Sequence, residues 1–82
     1  MKIRRVLANN RKKAFIVETS KQSYEFPYSL RRVKPTTSNP LVSVVIDDDL
    51  AREGFTYILK NGNGGSVLLD EVLFINRDPD LI

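Results

Sequence analysis

The sequence contains neither histidine nor cysteine, and these two absences exclude much of the familiar chemistry of proteins. Without cysteine there is no disulfide and no thiolate metal site. Without histidine the chain lacks the commonest general base and the commonest transition-metal ligand. Its serines and threonines have no histidine to activate them, and no pair of carboxylates has a spacing typical of acid–base catalysis. We therefore expect a protein that is not an enzyme and that uses no cofactor and no metal.

Long apolar runs are also missing. No stretch reaches the length of a membrane span, and the first residues, Met1 to Arg5, lack the apolar segment of a secretory signal. The expected location is therefore the cytoplasm, with no membrane partner. With 82 residues, of which 41% are hydrophobic, the chain is expected to form a single folded domain, residues 1–82, with a modest core.

Charge is distributed unevenly along the chain. Residues 1–35 carry ten Lys or Arg against two acids, a net charge of +8, whereas residues 36–82 carry three against eight, a net charge of −5. A basic half can attract nucleic acid or an acidic partner. The alternatives are that the two halves face each other, within the fold or across a head-to-tail contact, or that the charges only solvate the surface.

Alternation of apolar and polar residues predicts strands in the N-terminal half, at residues 2–8, 13–19 and 24–28. Asn9–Lys12 and Ser20–Ser23 have the composition of turns between them. Pro27 cannot donate to a strand ladder, so it belongs at a strand end or on a sheet edge. Residues 29–40 contain two prolines and are expected to form an ordered loop or an extended crossover.

Three further strands are predicted in the C-terminal half, at residues 41–46, 55–60 and 66–69. In the first of them Val42, Val44 and Ile46 should face the core. After residue 69 the period becomes helical, with Asp70 as a good N-cap for a short helix. Asp78-Pro79 has the pattern of a second helix start.

The predicted fold is therefore α+β, with a small antiparallel, meander-rich sheet of about five to six strands and one or two short helices near the C-terminus. Residues 70–82 are expected to pack on the sheet or against a second copy, because Leu81 and Ile82 would otherwise be exposed. The expected core residues are Phe15, Val17, Phe26, Val44, Ile46, Phe55, Tyr57 and Leu68.

Two segments have the composition of a ligand loop but not its pattern. A calcium loop needs oxygen ligands at alternating positions and a glycine at its turn, whereas the acids of Asp47–Asp49 are consecutive. We interpret them as a solvated strand end in which Asp48 or Asp49 caps a turn. A phosphate loop must precede a helix, whereas glycine-rich Asn61–Gly65 precedes a strand and is interpreted as a hairpin loop.

The best candidate for a binding surface is the set of basic residues together with a nearby tyrosine, which could hold a nucleic-acid backbone and stack a base. Tyr24, Phe26 and Tyr28 are spaced two apart, however, and this spacing is more simply a core face. No known nucleic-acid-binding motif lies in the sequence. The candidate surface comprises Arg4, Arg5, Arg11, Lys12, Lys13, Tyr28, Arg31, Arg32 and Lys34.

A family resemblance is carried by the segments Ile3–Val6, Ala8–Phe15, Val17–Thr19, Tyr24–Tyr28, Gly54–Tyr57 and Asn76–Pro79. Together they resemble a bacterial domain of unknown function that precedes a helix-turn-helix of the Cro/repressor (Xre) type. The resemblance covers essentially the whole chain and implies a compact α+β N-terminal domain with an antiparallel sheet. In the longer relatives the Asp-Pro segment opens a helix that leads into the DNA-binding part. That part is absent from these residues, so DNA binding is not implied, and Leu30–Arg32 and Asp47–Asp49 depart from the family wording.

Two functional hypotheses from different classes follow. The first is a non-catalytic interaction or regulatory domain that binds a protein partner or itself. It would be either part of a longer regulator or a protein in its own right. The second is a basic module that binds nucleic acid in its own right. Small proteins related to this domain are also thought to accompany toxin-like partners, so an antitoxin-like role is a third alternative.

Overall fold

The computed structural model describes residues 2–48 and 51–77, which contain six strands, a 3-10 turn and a short α-helix. The strands are β1 (Ile3–Asn9), β2 (Ala14–Thr19), β3 (Ser23–Pro27), β4 (Leu41–Ile46), β5 (Gly54–Leu59) and β6 (Gly64–Leu68). The 3-10 turn spans Tyr28–Leu30, and the helix α1 spans Leu69–Ile75. None of the described helices is long and apolar enough to cross a membrane.

The strands form two three-stranded antiparallel sheets, β1-β2-β3 (the first sheet) and β4-β5-β6 (the second sheet). The α+β class and the strand number agree with the sequence prediction, but the prediction of one sheet is wrong. Residues 31–40, which include Pro35 and Pro40, lie outside both ladders and carry the chain from one sheet to the other. Each sheet has one strongly apolar face. Because the two sheets face each other, the apolar face of each covers that of the other, whereas a single sheet would leave its apolar face exposed.

The core lies between the two sheets and is centred on Phe15 of β2. Its ring contacts Tyr28, Phe55 and Tyr57, with ring centroids 4.9, 5.2 and 5.1 Å apart. Edge-to-face and tilted contacts of this kind are favourable between aromatic rings. The structure confirms burial of five predicted core residues and places Val44 and Ile46, half-buried, against the same cluster; the five are Phe15, Val17, Phe26, Phe55 and Tyr57.

Two predicted core residues point outward instead. Leu68 is 48% exposed, and its neighbour Val67 is buried opposite Phe55. Val42 is 60% exposed because the pairing of β4 with β5 shifts between Leu41 and Ser43. The irregularity adds a residue on β4, so that alternation restarts one position late.

Helix α1 packs against β3 and β6 through Leu69, Val72 and Leu73, which are buried. The helix was predicted, but the predicted cap, Asp70, is wrong. The N-cap is Leu68 rather than Asp70, and the Oε2 atom of Glu71 accepts a hydrogen bond of 2.9 Å from the Leu68 backbone N–H. A glutamate at the third helical position performs this role in many helices.

Several local predictions hold, and others lie outside the described residues. Pro27 is the last residue of β3, an edge strand, as its missing N–H requires. The first turn is closed by the Lys12 backbone N–H, which donates to Oδ1 of Asn9 at 3.0 Å. The expectations for Asp49, for the Asp78-Pro79 helix start and for Leu81 and Ile82 fall on residues outside the described part of the chain.

Candidate protein-interaction surface

The outer face of the first sheet carries an ion pair between β1 and β2 and another from the β1–β2 turn to β3. Both Nε and Nη2 of Arg5 donate to the carboxylate of Glu18, at 3.2 and 2.9 Å. This hydrogen bonding, with the charge of Glu18, raises the pKa of the Arg5 guanidinium. Nζ of Lys12 lies 2.8 Å from Oε1 of Glu25. These pairs are exposed and therefore contribute little to stability, but they make this face strongly hydrated.

The basic candidate residues are not gathered into one surface. Arg4 and Arg5 lie on β1, whereas Arg11, Lys12 and Lys13 form the turn that follows it. Arg5 lies four residues before the end of β1, so along the strand the two groups are separated by roughly 14 Å. Arg31, Arg32 and Lys34 follow the 3-10 turn, and Nη1 of Arg31 is paired with Glu71 at 3.3 Å. Five of the candidate basic residues form no ion pair within the described part of the chain: Arg4, Arg11, Lys13, Arg32 and Lys34.

The ring of Tyr28 is not available to stack on a base. Tyr28 is only 4% exposed, and its hydroxyl donates to Oδ1 of Asn10 at 2.9 Å. Burial raises the pKa of this phenol. All seven aromatic residues of the chain lie in the described part, and Phe74 is the one with an exposed ring. It lies on α1 rather than among the basic residues, so the stacking platform of a nucleic-acid surface is not assembled.

A groove of about 400 Å³ lies between β1 and β4, and its lining comprises Arg4, Arg5, Val6, Val44, Val45, Ile46 and Arg52. Nε and Nη2 of Arg52 donate to the carbonyl oxygens of Ile3 and Arg4, at 3.3 and 3.5 Å, and its Nη1 lies 3.4 Å from Asp48. The Ile3 N–H donates in return to the Arg52 carbonyl at 2.8 Å. Arg52 therefore ties the start of β1 to the β4–β5 loop. Because its guanidinium is used in these contacts, we interpret Arg52 as a structural residue rather than a ligand-binding one.

The outer face of the second sheet has a different character, because none of the residues of β4, β5 and β6 is charged. In the ladder Val45 lies opposite Thr56, and Thr56 lies opposite Ser66. The next row places Ile58 between Ser43 and Gly64. Four large apolar side chains are exposed here: Val42 (60%), Val45 (58%), Leu68 (48%) and Ile58 (37%). We call this surface the uncharged face because its strands contain no charged residue, although the carboxylate of Asp47, the residue after β4, reaches Thr56 on it.

The hydroxyl groups at the centre of the uncharged face are paired with one another. Oγ1 of Thr56 lies 3.0 and 3.1 Å from the two carboxylate oxygens of Asp47 and 3.0 Å from Oγ of Ser66. Thr56 has a single hydroxyl hydrogen, which it donates to Asp47, so Ser66 donates to Thr56. The two hydroxyls are therefore satisfied within the chain, and the Asp47 carboxylate brings a negative charge to this part of the face.

Sequence reasoning missed the uncharged face, although a signal for it was present. Strong β-propensity in residues 41–46 was interpreted as core packing, and Val42 and Leu68 were assigned to the interior. The distinguishing feature is the complete absence of charge from three consecutive strands, in contrast to β1–β3, which carry Arg4, Arg5, Glu18 and Glu25. Charged residues on edge strands normally prevent unwanted pairing, and the edge strands β4 and β6 contain none.

A smaller group of exposed apolar side chains lies on α1. Phe74 is 70% exposed and Ile75 is 41% exposed. Asn76 and Arg77 follow them, and residues 78–82 lie outside the described part. Nothing among the described residues covers Phe74.

Comparison with known proteins adds no assignment. No family model matches the chain, and neither a curated protein nor a solved structure matches it significantly. Within residues 2–48 and 51–77, no group of three or more acidic side chains is placed to hold a metal ion. Function is therefore argued from the surfaces of the chain itself.

Proposed function

We propose that this chain is a non-catalytic interaction domain that binds protein through the uncharged face. The observation that carries the proposal is the exposure of Val42, Val45, Ile58 and Leu68 on the outer face of a sheet whose strands contain no charged residue. Several exposed apolar side chains on one sheet face are typical of sites where proteins bind a partner.

The size of the face indicates what kind of binding to expect. Three strands and about five residues per strand give a footprint of roughly 14 by 17 Å. A stable protein–protein interface buries about 800 Å² on each partner, which is considerably more. We therefore propose a reversible, concentration-dependent interaction. Such binding suits a regulatory domain that is switched between bound and free states.

The resemblance to domains that precede a helix-turn-helix supports a regulatory setting for this interaction. In such a setting the domain would control assembly of a regulator or recruit another protein to it. An antitoxin-like role would use the same face, with the toxin as the partner. Assembly of a regulator, recruitment of another protein and an antitoxin-like role all predict that a partner contacts Val45 and Ile58.

Nucleic-acid binding is a second candidate, favoured by the exposed cations that have no ion pair among the described residues. Arg11 and Lys13 lie on the β1–β2 turn, and Arg32 and Lys34 lie on the loop that starts beside it, where the Tyr28 N–H donates to the Lys13 carbonyl at 2.8 Å. Fluorescence anisotropy with single- and double-stranded oligonucleotides at low salt tests this candidate. Binding that is lost in Arg11→Ala/Lys13→Ala and falls steeply with salt would support it.

Site-specific photo-crosslinking in the cells that make the protein tests the proposed function. A photoreactive amino acid replaces Ile58, and the matched control replaces Leu7, which is exposed to a similar extent (42% against 37%) on the outer face of the first sheet. We expect protein adducts from position 58 and few from position 7. Equal yields at the two positions, or none at position 58, would contradict the proposal.

A further inference from the structure

We propose that Asn63 is a site of spontaneous covalent modification, at which the side-chain amide is converted to a carboxylate. The inference does not depend on the proposed function. Asparagine is a chemically labile residue, and it is most exposed to this reaction before glycine, which has no side chain to hinder ring closure. The β5–β6 loop contains the pair twice in succession, as Asn61-Gly62 and Asn63-Gly64. The hydrogen bonds of the loop distinguish the two pairs.

The reaction begins when the backbone nitrogen of the glycine attacks Cγ of the preceding asparagine. A bond forms between that nitrogen and Cγ, the glycine amide gives up its proton, and the bond from Cγ to Nδ2 breaks with release of ammonia. Water then opens the resulting succinimide ring at either carbonyl, which leaves aspartate or isoaspartate. Water is the only co-reactant. The reaction is therefore favoured by a glycine N–H that is free and an asparagine side chain that can rotate.

Both conditions are met at Asn63. The Leu59 N–H donates to the Asn63 carbonyl at 2.7 Å. Because hydrogen bonds alternate in direction along an antiparallel strand, the next N–H, that of Gly64, points away from β5. Since β6 is an edge strand, that N–H meets no further strand of the second sheet. Asn63 is exposed, and its side-chain amide forms no hydrogen bond with the described residues.

Asn61-Gly62 provides a matched comparison within the same loop. The Gly62 N–H donates to the Leu59 carbonyl at 2.9 Å, so this hydrogen bond must break before the nitrogen can lose its proton. Oδ1 of Asn61 accepts a hydrogen bond of 2.9 Å from the Asn63 N–H, which holds the Asn61 side chain in one orientation. The fold therefore protects Asn61 and leaves Asn63 open to reaction.

Conversion of Asn63 changes the chain next to the uncharged face. Asn63 comes directly before β6, and Gly64, the first residue of β6, lies opposite Ile58. Aspartate adds a negative charge there and lowers the net charge from +3 to +2. Isoaspartate also lengthens the backbone by one carbon at the residue that pairs with Leu59. The modification therefore alters both the charge and the strand pairing at this end of the second sheet.

Incubation of the purified full chain at neutral to mildly alkaline pH, followed by peptide mapping with mass spectrometry, tests the inference. Trypsin cleaves after Lys60 and places both asparagines in one peptide, and fragmentation assigns the added mass to one of them. We expect the folded chain to react several-fold faster at Asn63 than at Asn61. Asn63→Gln should lose most of the modification, whereas the matched control Asn61→Gln should keep it.

A parallel incubation in urea separates the effect of the fold from that of the local sequence. Unfolding frees the Gly62 N–H and the Asn61 side chain, so the advantage of Asn63 should largely disappear. Equal or faster reaction at Asn61 in the folded chain would overturn the inference. An unchanged ratio of the two rates in urea would also overturn it, because the hydrogen bonds of the loop would then have no part in the difference.

Discussion

Gly65 lies directly opposite Tyr57 on the inner face of the second sheet, and the phenol ring occupies the space that a side chain at position 65 would need. A Cβ atom there would lie 2.9 Å from the hydroxyl oxygen of Tyr57 and 3.2 Å from ring carbons Cε1 and Cζ. Tyr57 is fully buried, and its hydroxyl donates to the carbonyl of Val33. The glycine therefore allows the tyrosine to cross β6 and fasten residues 31–40 to the second sheet.

Gly65→Ala should destabilise the domain, because Tyr57 is held by the packed core and cannot move away freely. Overpacking of this kind costs typically about 1–3 kcal/mol. The measurement is urea unfolding followed by circular dichroism. Ser66→Ala, the neighbouring residue on the exposed face of the same strand, should change the free energy of unfolding by much less. A neutral effect of Gly65→Ala would show that Tyr57 has room to shift.

Phe15→Ala should cost about 3–5 kcal/mol of unfolding free energy, which is enough to unfold a marginally stable small domain. The reason is that Phe15 is fully buried and contacts three other aromatic rings. These are Tyr28, which directly follows β3, and Phe55 and Tyr57 of β5. Thermal unfolding monitored by circular dichroism measures the loss. Leu7→Ala, on the exposed face of β1, serves as the control and should melt close to the wild type.

Glu71→Ala should destabilise the domain more than Asp70→Ala does, although both acids lie in the first turn of α1. Glu71 caps the Leu68 N–H and also pairs with Arg31, whereas Asp70 is exposed and forms neither contact. Loss of a helix cap costs about 1 kcal/mol. Chemical denaturation of the two variants side by side measures the difference. A larger effect at Asp70 would restore the assignment of Asp70 as the cap.

The stability contributed by Tyr28 should decline at alkaline pH. Burial raises the pKa of this phenol in the folded state, whereas in the unfolded chain it ionises at about pH 10. The contribution is therefore complete below about pH 10 and is lost as the pH rises towards the folded-state pKa, because only the unfolded chain then gains from ionisation. Unfolding of wild type and Tyr28→Phe between pH 8 and 11 checks this. The advantage of the wild type over the variant should shrink above about pH 10, and a constant difference would contradict the prediction.

Local patterns predicted the strands well, because alternation and turn composition act over a few residues. The five predicted core residues on β2, β3 and β5 are buried, and Pro27 lies at a strand end. The helix after residue 68 was recognised from its change of period. Its cap was misassigned because Asp70 and Glu71 are both acceptable first-turn acids, and only the path of the backbone at Leu68 decides between them.

The errors on β4 and β6 have a different origin. A shift of one residue moves every following side chain to the opposite face of a sheet. Val42 was assigned to the core because the irregularity in the β4–β5 pairing beside it was not anticipated. Leu68 was assigned to the core because alternation along β6 was counted from the wrong residue. Neither feature leaves a mark in the sequence that distinguishes it from regular pairing.

The sequence by itself determined the elements, since the period of apolar residues, the turn residues and the prolines all act locally, and it determined that this chain has neither histidine nor cysteine. Only the tertiary structure decided that six strands divide into two facing sheets, because that depends on which apolar faces cover each other. It also decided that Tyr28 is buried while Val45 and Ile58 are exposed. Apolar residues of the same type lie on both faces of the second sheet, and only the position of the first sheet determines which face is covered.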